Sequence, residues 1–451
     1  MKQAGPSTVW DRLMLAAEWP FKRYFFNCQK CGQCLLSQTA MVCPMNCPKG
    51  LRNGPCGGTI EGRCEVYTDR PCVWVRIHDK SAGGADDPCQ VRAPFDEHLL
   101  NTSSYWNLLT GADQATRKPR ALAQELRTFR ASPQRTGSRF ERRLRGGQPI
   151  LTGELRCPRS ARGMRRVREE IEALLPLVDA LTTTSNQGGV PTRSTLDVSR
   201  EVHKQGGCAI PTLCGRDMNP AAFVRNLVEI RDAGLQDVFC VTGDWPAHEP
   251  RQPVSVPETQ RRAFRMDGAQ MIHEARSLGT LGRAAFSPLP AGAAAPSLFV
   301  GGAINPNSAP REAVIRRLAQ KAACGVDYIF TQAVCDVGVF TDFLRGFETS
   351  GLRPRLFVVA SVPVVGSLRG AEILNALPGV RLPAAVLERF AQASDIAAEG
   401  STWTLEVLDA LAGSVDGFHL MNFGMALPRM CEVLERARGK LTRTPSARQV
   451  A

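Results

Sequence analysis

Between residues 150 and 425 the chain repeats one pattern, a short apolar run followed by a longer amphipathic stretch. The apolar runs read as strands: ILTGEL (150–155), VDALTTT (178–184), CAIPTL (208–213), DVFCVT (237–242), SLFVGG (297–302), DYIFTQ (327–332), RLFVVA (355–360) and VDGFHL (415–420). Helical patterns lie between them. In NPAAFVRNLVEIRDAG, Phe223, Leu227, Val228 and Ile230 recur at helical spacing and Gly234 supplies the stop. MALPRMCEVLERARG follows the last strand as an eighth helix. Such an alternation requires a parallel sheet covered by helices. Eight units in about 300 residues predict an α/β fold of the (β/α)8 TIM-barrel type over 138–440. An open doubly wound sheet is the rival, but no G-x-G-x-x-G follows any of these strands, and Walker and H-E-x-x-H motifs are absent too. The barrel segment opens with SRFERRLRGGQP, where Ser138 and Glu141 have capping-box spacing and Gly146 and Gly147 suit the stop.

Ahead of the barrel, residues 1–80 hold eight of the sixteen cysteines: Cys28, Cys31, Cys34, Cys43, Cys47, Cys56, Cys64 and Cys72. The spacing C-x2-C-x2-C-x8-C-P puts three thiolates on one tight loop, and a distal Cys43 before Pro44 completes a four-thiolate cage. This predicts a small cysteine-rich metal-binding domain, with an iron–sulfur cluster of the 4Fe-4S kind as the ligand set's natural occupant. Zinc also accepts four cysteines, though more often from two C-x2-C knuckles, and stays open as the alternative, as do purely structural thiols. Eight cysteines suffice for two four-ligand sites, and Cys43-Pro44 and Cys47-Pro48 are close enough to serve one or both. The other cysteines (Cys89, Cys157, Cys208, Cys214, Cys240, Cys324, Cys335 and Cys431) are scattered and read as small buried apolar residues.

Residues 81–137 begin with SAGGADDP, become Arg-rich and lack periodicity, which reads as a linker with one or two surface helices; 441–451 reads as a frayed tail. The net charge is +13, and Arg117–Arg145 alone holds nine Arg and one Lys against Glu125 and Glu141. No aromatic platform is interleaved with that charge, which argues against nucleic acid and for a solvated segment or attraction to an anionic substrate. No run of eighteen apolar residues suggests membrane insertion. The N-terminus has no apolar h-region, so the expected location is the cytoplasm, where dense thiols serve metal binding or catalysis.

The stretch CPMNCPKGLRNGPCGGTIEGRCEVYTDRPCVWV (43–75) resembles the cysteine-rich module of proteins related to methylenetetrahydrofolate reductase, and the likeness extends over residues 20–78. That module occurs in accessory subunits of anaerobic one-carbon metabolism and in fused single-chain forms. The barrel resembles the reductase itself. TGELRCPRS supplies Glu154 after the first strand, with Cys157 interrupting the family's proline pair. VFCVTGDWP supplies Gly243 and Asp244, KAACGVDYIFTQ supplies Lys321, Thr331 and Gln332, and FHLMNFG matches a closing His–Asn segment at His419 and Asn422. The loop GGAINPNSAP keeps the Asn-Pro but lacks the aromatic-Pro pattern of flavin-binding members, and TTTSNQGGVPTRST lacks an acidic residue found in many relatives.

The resemblance implies reduction of 5,10-methylenetetrahydrofolate to 5-methyltetrahydrofolate, a reaction of one-carbon metabolism that leads to methionine biosynthesis, with FAD as cofactor. It implies Glu154 as the general acid that opens the methylene bridge. Asp244 would contact pterin and flavin, and Gln332 the folate. Lys321 would reach the flavin phosphates or ribityl chain, with Thr182 and Asn305 as further cofactor contacts on the same rim. The implied partners are the folate and an electron-donor protein or a separate flavin reductase. The alternatives are a flavin-free accessory or electron-relay subunit and a folate-binding methyl carrier.

Overall fold

The computed structural model describes residues 8–81, 90–114, 120–121, 136–246 and 264–441. The eight expected strands are all present, and their apolar character has a direct cause: each is covered on both faces. They are β3 (Ile150–Arg156), β4 (Ala180–Thr184), β5 (Ala209–Cys214), β6 (Asp237–Val241), β7 (Phe299–Ile304), β8 (Tyr328–Thr331), β9 (Phe357–Val365) and β10 (Gly417–Phe423). A two-residue pair, β1 (Gln90–Val91) and β2 (Arg120–Ala121), precedes them. All barrel neighbours are parallel, and β10 pairs back onto β3 through Gly417–Leu420 against Ile150–Gly153, closing a (β/α)8 TIM barrel. At this seam a Cβ on Gly417 would lie 2.5 Å from the Ile150 carbonyl oxygen, so the closing position requires glycine.

Helices separate consecutive strands as the periodicity predicts, and between β9 and β10 there are three rather than one: Leu368–Asn375, Ala384–Gln392 and Ile396–Leu411. The observed boundaries differ from the expected ones by up to five residues. The largest shift is in β9, which runs on to Val365 because SVPVV is also buried on both faces.

The floor of the barrel is sealed by α4 (Arg139–Arg145). Ser138 accepts from the Glu141 amide as expected, but the Glu141 carboxylate turns to Thr136 and Arg145 instead of completing a capping box. Phe140 from this helix is fully buried, 5.0 Å from Tyr328 and 5.9 Å from Phe299 between ring centres. Around this plug an aspartate recurs at the start of alternate strands. Asp179, Asp327 and Asp416 each precede a strand and accept the backbone N–H of the strand before it, at Leu151 (2.8 Å), Val300 (2.8 Å) and Val358 (2.7 Å). Arg438, Arg276 and Arg353, respectively, pair with them. Asp237 is the fourth, but it accepts instead from Ser138 Oγ at 2.9 Å and from the Cys208 thiol at 3.3 Å.

The N-terminal region carries α1 (Val9–Phe26), α2 (Val73–Lys80) and α3 (Ser104–Thr110). Residues 90–114, within the stretch expected to be a linker, pack on the cysteine-rich part. The Asn107 amide donates to Gly32 O at 2.9 Å, and Gln33 bonds Asp96 through both its N–H and its carbonyl. Of the expected Arg-rich linker over 81–137, residues 82–89, 115–119 and 122–135 lie outside the described residues, as do 442–451 of the expected tail. Among the described residues no helix is long and apolar enough to cross a membrane.

Burial, with Glu141 and Asp327 adding like charge, pushes the Asp237 carboxyl up to about 7. A carboxyl raised above its unfolded value binds its proton more tightly when folded, so its contribution is complete in acid and is lost as pH rises from about 4 to about 7. Asp237→Asn keeps the shape and one acceptor oxygen, enough for Ser138 Oγ, and turns an amide N–H toward Cys208 Sγ, without a titrating proton. Urea denaturation at pH 5 and pH 8 should therefore show the parent losing stability relative to this variant at the higher pH. A parent–variant difference that is the same at both pH values would contradict the assignment.

Candidate functional site at the barrel mouth

Side chains alternate along a strand, so every second residue near its C-terminal end points into the mouth. Here those positions frame a cavity of about 260 Å³ that includes Glu154 (β3), Thr182 (β4), Phe330 (β8) and His419 (β10), with Asp244 after β6 and Gln332 after β8. The residues expected to carry function therefore do converge. Lys321 and Asn305 line the same cavity.

Their local geometry differs from one to the next. Glu154 is half-buried; its Oε1 accepts from the Gln187 amide at 3.1 Å, and Oε2 has no hydrogen-bond partner among the described residues. Asp244 has no side-chain partner among them either. Desolvation, then the nearby Glu65, holds its carboxyl above the usual range, against the opposing pull of Lys49 and Arg216. The Gln332 amide is turned onto the protein: Nε2 donates to Pro378 O at 3.1 Å, and Oε1 accepts from the Ala333 amide at 3.0 Å. Thr182 is buried, with its hydroxyl 3.5 Å from Gly153 O.

Two aromatic groups form the floor of the cavity. Phe330 and His419 stack with ring centres 4.9 Å apart, and His419 Nδ1 lies 2.9 Å from Thr152 Oγ1. Burial lowers the imidazole to about 4, so it is neutral near physiological pH. Sequence reasoning did not single out Phe330, and it met His419 only as part of a motif. The period-two alternation of inward positions would have marked both.

The cysteine-rich region forms one wall of the cavity through Pro55–Thr59 and Val75. Asn305 Nδ2 donates to Gly57 O and Gly379 O, and Ser308 Oγ donates to Gly57 O (3.2 Å) and Thr59 O (3.3 Å). Asn305 was expected to contact a cofactor; here its amide secures this loop.

A flavin dinucleotide makes a specific demand on the cavity wall. Its diphosphate needs cations that are free to meet it. Arg317 is bonded to Asn53 O, Gln320 and Asp267. Lys321, expected to meet the flavin phosphates, is buried and donates to Ala303 O. Desolvation, then the Arg317 charge, lowers its ammonium to about 7, so much of it is neutral. Neither Arg317 nor Lys321 is thus free to meet that diphosphate.

The eight N-terminal cysteines fall into two sets, all of them free thiols. Cys28, Cys31, Cys34 and Cys43 line one small cavity beneath α1. Cys47, Cys56, Cys64 and Cys72 form the other, with Cys47, Cys56 and Cys72 in one apolar cluster and Cys64 close enough to Cys47 and Cys72 to act on their titration. Burial first, then neighbouring thiols of the same set, pushes Cys43 and Cys47 up to about 12. Among the described residues no three Cys, His, Asp or Glu side chains are placed to hold one metal ion, so the expected site does not stand preformed. Tetrahedral zinc, with Zn–S near 2.3 Å, would draw its sulfurs to about 3.8 Å from one another. A multi-iron cluster gives each thiolate its own iron and spaces the sulfurs further apart.

A closed parallel barrel with its polar groups gathered at the C-terminal mouth is the TIM-barrel arrangement in which chemistry sits on the βα loops. Comparison with known proteins defines it further. Residues 139–435 match the family described as methylenetetrahydrofolate reductase, and residues 8–94 match the one described as "Methylene-tetrahydrofolate reductase C terminal". The chain belongs to the methylenetetrahydrofolate reductase family, which places it among proteins of folate metabolism. No curated protein matches it significantly. Among solved structures it is similar to a Clostridium thermocellum protein that binds two copies of 5-methyl-5,6,7,8-tetrahydrofolic acid, at 15% identity and TM-score 0.50, covering 68% of this chain and 100% of that one. Tryptophan synthase from M. tuberculosis also matches, at 13% identity and TM-score 0.35, covering 68% of this chain and 99% of the other.

The His419 imidazole offers a direct check on this geometry. Its lowered folded value means that stability is present above about 6.5 and is lost as pH falls toward 4. In NMR of labelled histidines, assigned through a His419→Gln variant, its ring should stay neutral down to pH 5. A titration midpoint above pH 6 would contradict the buried, stacked placement.

Proposed function

We propose that the barrel mouth binds a reduced folate by its pterin ring and serves the interconversion of 5,10-methylenetetrahydrofolate and 5-methyltetrahydrofolate. The observation that carries this reading is the pair of acids facing one cavity in a chain of this family: Asp244, and Glu154 with one carboxyl oxygen left open. A pterin offers an N–H-bearing edge and a flat π face. The Asp244 carboxyl suits the edge, and the Phe330–His419 stack suits the face.

Opening the methylene bridge requires a proton on a ring nitrogen. Glu154 is the acid for that step: Gln187 holds one carboxyl oxygen and leaves the other to meet the ring. Gln332, tied to Pro378, helps close the folate side of the cavity. The opened bridge must also take up a hydride equivalent, two electrons and a proton, from a donor outside this cavity, because Arg317 and Lys321 are engaged within the protein. That same observation favours a second reading, in which the chain works beside a separate flavin reductase or electron-donor protein that supplies the reducing equivalents.

For the two cysteine sets we propose iron–sulfur clusters, with Cys28, Cys31, Cys34 and Cys43 holding one and Cys47, Cys56, Cys64 and Cys72 the other. When bound, a cluster supplies one-electron transfer.

In Glu154→Gln the shape of the side chain is kept and the proton is lost. Binding of 5-methyltetrahydrofolate, measured by calorimetry, should persist, while turnover of the methylene substrate falls by about 10²–10⁴-fold, the usual worth of a general acid. Equal turnover in variant and parent would refute the role. A parent that binds folate but turns nothing over without a second protein would favour the accessory reading.

Cys31→Ser, purified without oxygen, should lower iron and acid-labile sulfide together. Unchanged iron, sulfide and zinc would refute the ligand assignment.

A further inference from the structure

Asp244 is held in place from outside the barrel. Three consecutive backbone groups around it are each bonded to a charged side chain. Lys49 Nζ donates to Gly243 O at 2.8 Å, Arg216 Nη1 donates to Asp244 O at 3.1 Å, and the Trp245 amide donates to Glu65 Oε1 at 3.1 Å. Lys49 and Glu65 belong to the cysteine-rich region and pair with each other at 2.5 Å, with side chains 2% and 3% exposed. Their ring neighbours reinforce the grip: Lys49 lies 5.1 Å from the Phe264 ring, on which Trp245 stacks with centres 5.8 Å apart, and Val66 and Tyr67 pack against both aromatics. Gly243 takes φ +94°, and a Cβ there would lie 2.4 Å from Cys214 Sγ, so the turn has one tight conformation to be held in.

A buried ion pair is weak evidence for stability, since desolvation offsets most of its attraction, and apolar pairs of similar volume often replace it at no cost. This pair has a more specific use. Lys49 and Glu65 together span the peptide groups on both sides of Asp244, so they set where its carboxyl stands in the cavity. We propose that the Lys49–Glu65 pair of the cysteine-rich region is a positioning device for the Asp244 carboxyl, so that this region is part of the ligand site as well as its wall. The inference rests on the folate reading only for the identity of the ligand.

The test uses the full chain and the double substitution Lys49→Met/Glu65→Met, which leaves no unpaired buried charge and should fold. Thermal melting should stay within a few degrees of the parent. Hydrogen exchange at the Trp245 amide, which loses its acceptor, should speed up by about tenfold or more, the worth of one charge-assisted hydrogen bond. Unchanged exchange overturns the positioning role whatever the ligand proves to be.

Affinity is then measured with 5-methyltetrahydrofolate as the probe. The double variant should bind about tenfold more weakly. Adding Asp244→Asn to it should cost less than the same change costs the parent, because both act through one carboxyl. Additive losses would show that the pair acts elsewhere and overturn the proposal. A parent that does not bind the probe, with exchange accelerated as expected, would overturn the folate reading and leave the positioning role standing. Lys49→Arg, which keeps the charge and the reach to Gly243 O, should recover affinity relative to Lys49→Met; no recovery would count against the pair.

Discussion

The pairing of β10 with β3 is the contact on which the rest of the molecule depends. Without it the sheet would have two open edges, the inward side chains would diverge, and no cavity would form at the mouth. With it, eight strand ends are brought into one ring, and residues as distant in sequence as Glu154 and His419 share a space of about 260 Å³. The closing strands meet at Gly417, where any side chain would strike the Ile150 backbone.

The two ends of this barrel use carboxylates in opposite ways. At the floor, aspartates are bonded to strand N–H groups and arginines, and an aromatic plug excludes water. At the mouth, Glu154 keeps one oxygen and Asp244 its whole carboxyl without protein partners among the described residues, and both border open space. Residues of one chemical type thus stabilise one end and stay available at the other. The difference lies in what each neighbouring loop offers them.

Much of the barrel was legible because its signals are local. Doubly covered strands must be apolar throughout, and that pattern located all eight. Glu154 and Asp244 were legible because a polar residue at the end of such a strand stands out. Lys49 and Glu65 were not: they meet their barrel partners across 194 and 180 residues, and no spacing rule encodes such a contact. Asn305 was legible as a rim residue and Lys321 through the family resemblance, but neither in its bonding, because what they bond, the Gly57 carbonyl and the Ala303 carbonyl, is set by tertiary packing. The cysteines announced metal chemistry by density, yet their division into two sets depends on how the loop between Cys43 and Cys47 turns.

The floor aspartates also mark internal joints. Asp179 ties β4 to β3, Asp327 ties β8 to β7, Asp416 ties β10 to β9, and Asp237 at the head of β6 reaches Cys208, the residue just before β5. The barrel is thereby laced as four strand pairs. A circular permutant whose new termini fall between β4 and β5, or between β8 and β9, would leave every lace intact, whereas one opened between β3 and β4 would cut through one. The chain's tolerance of new termini should accordingly alternate around the ring.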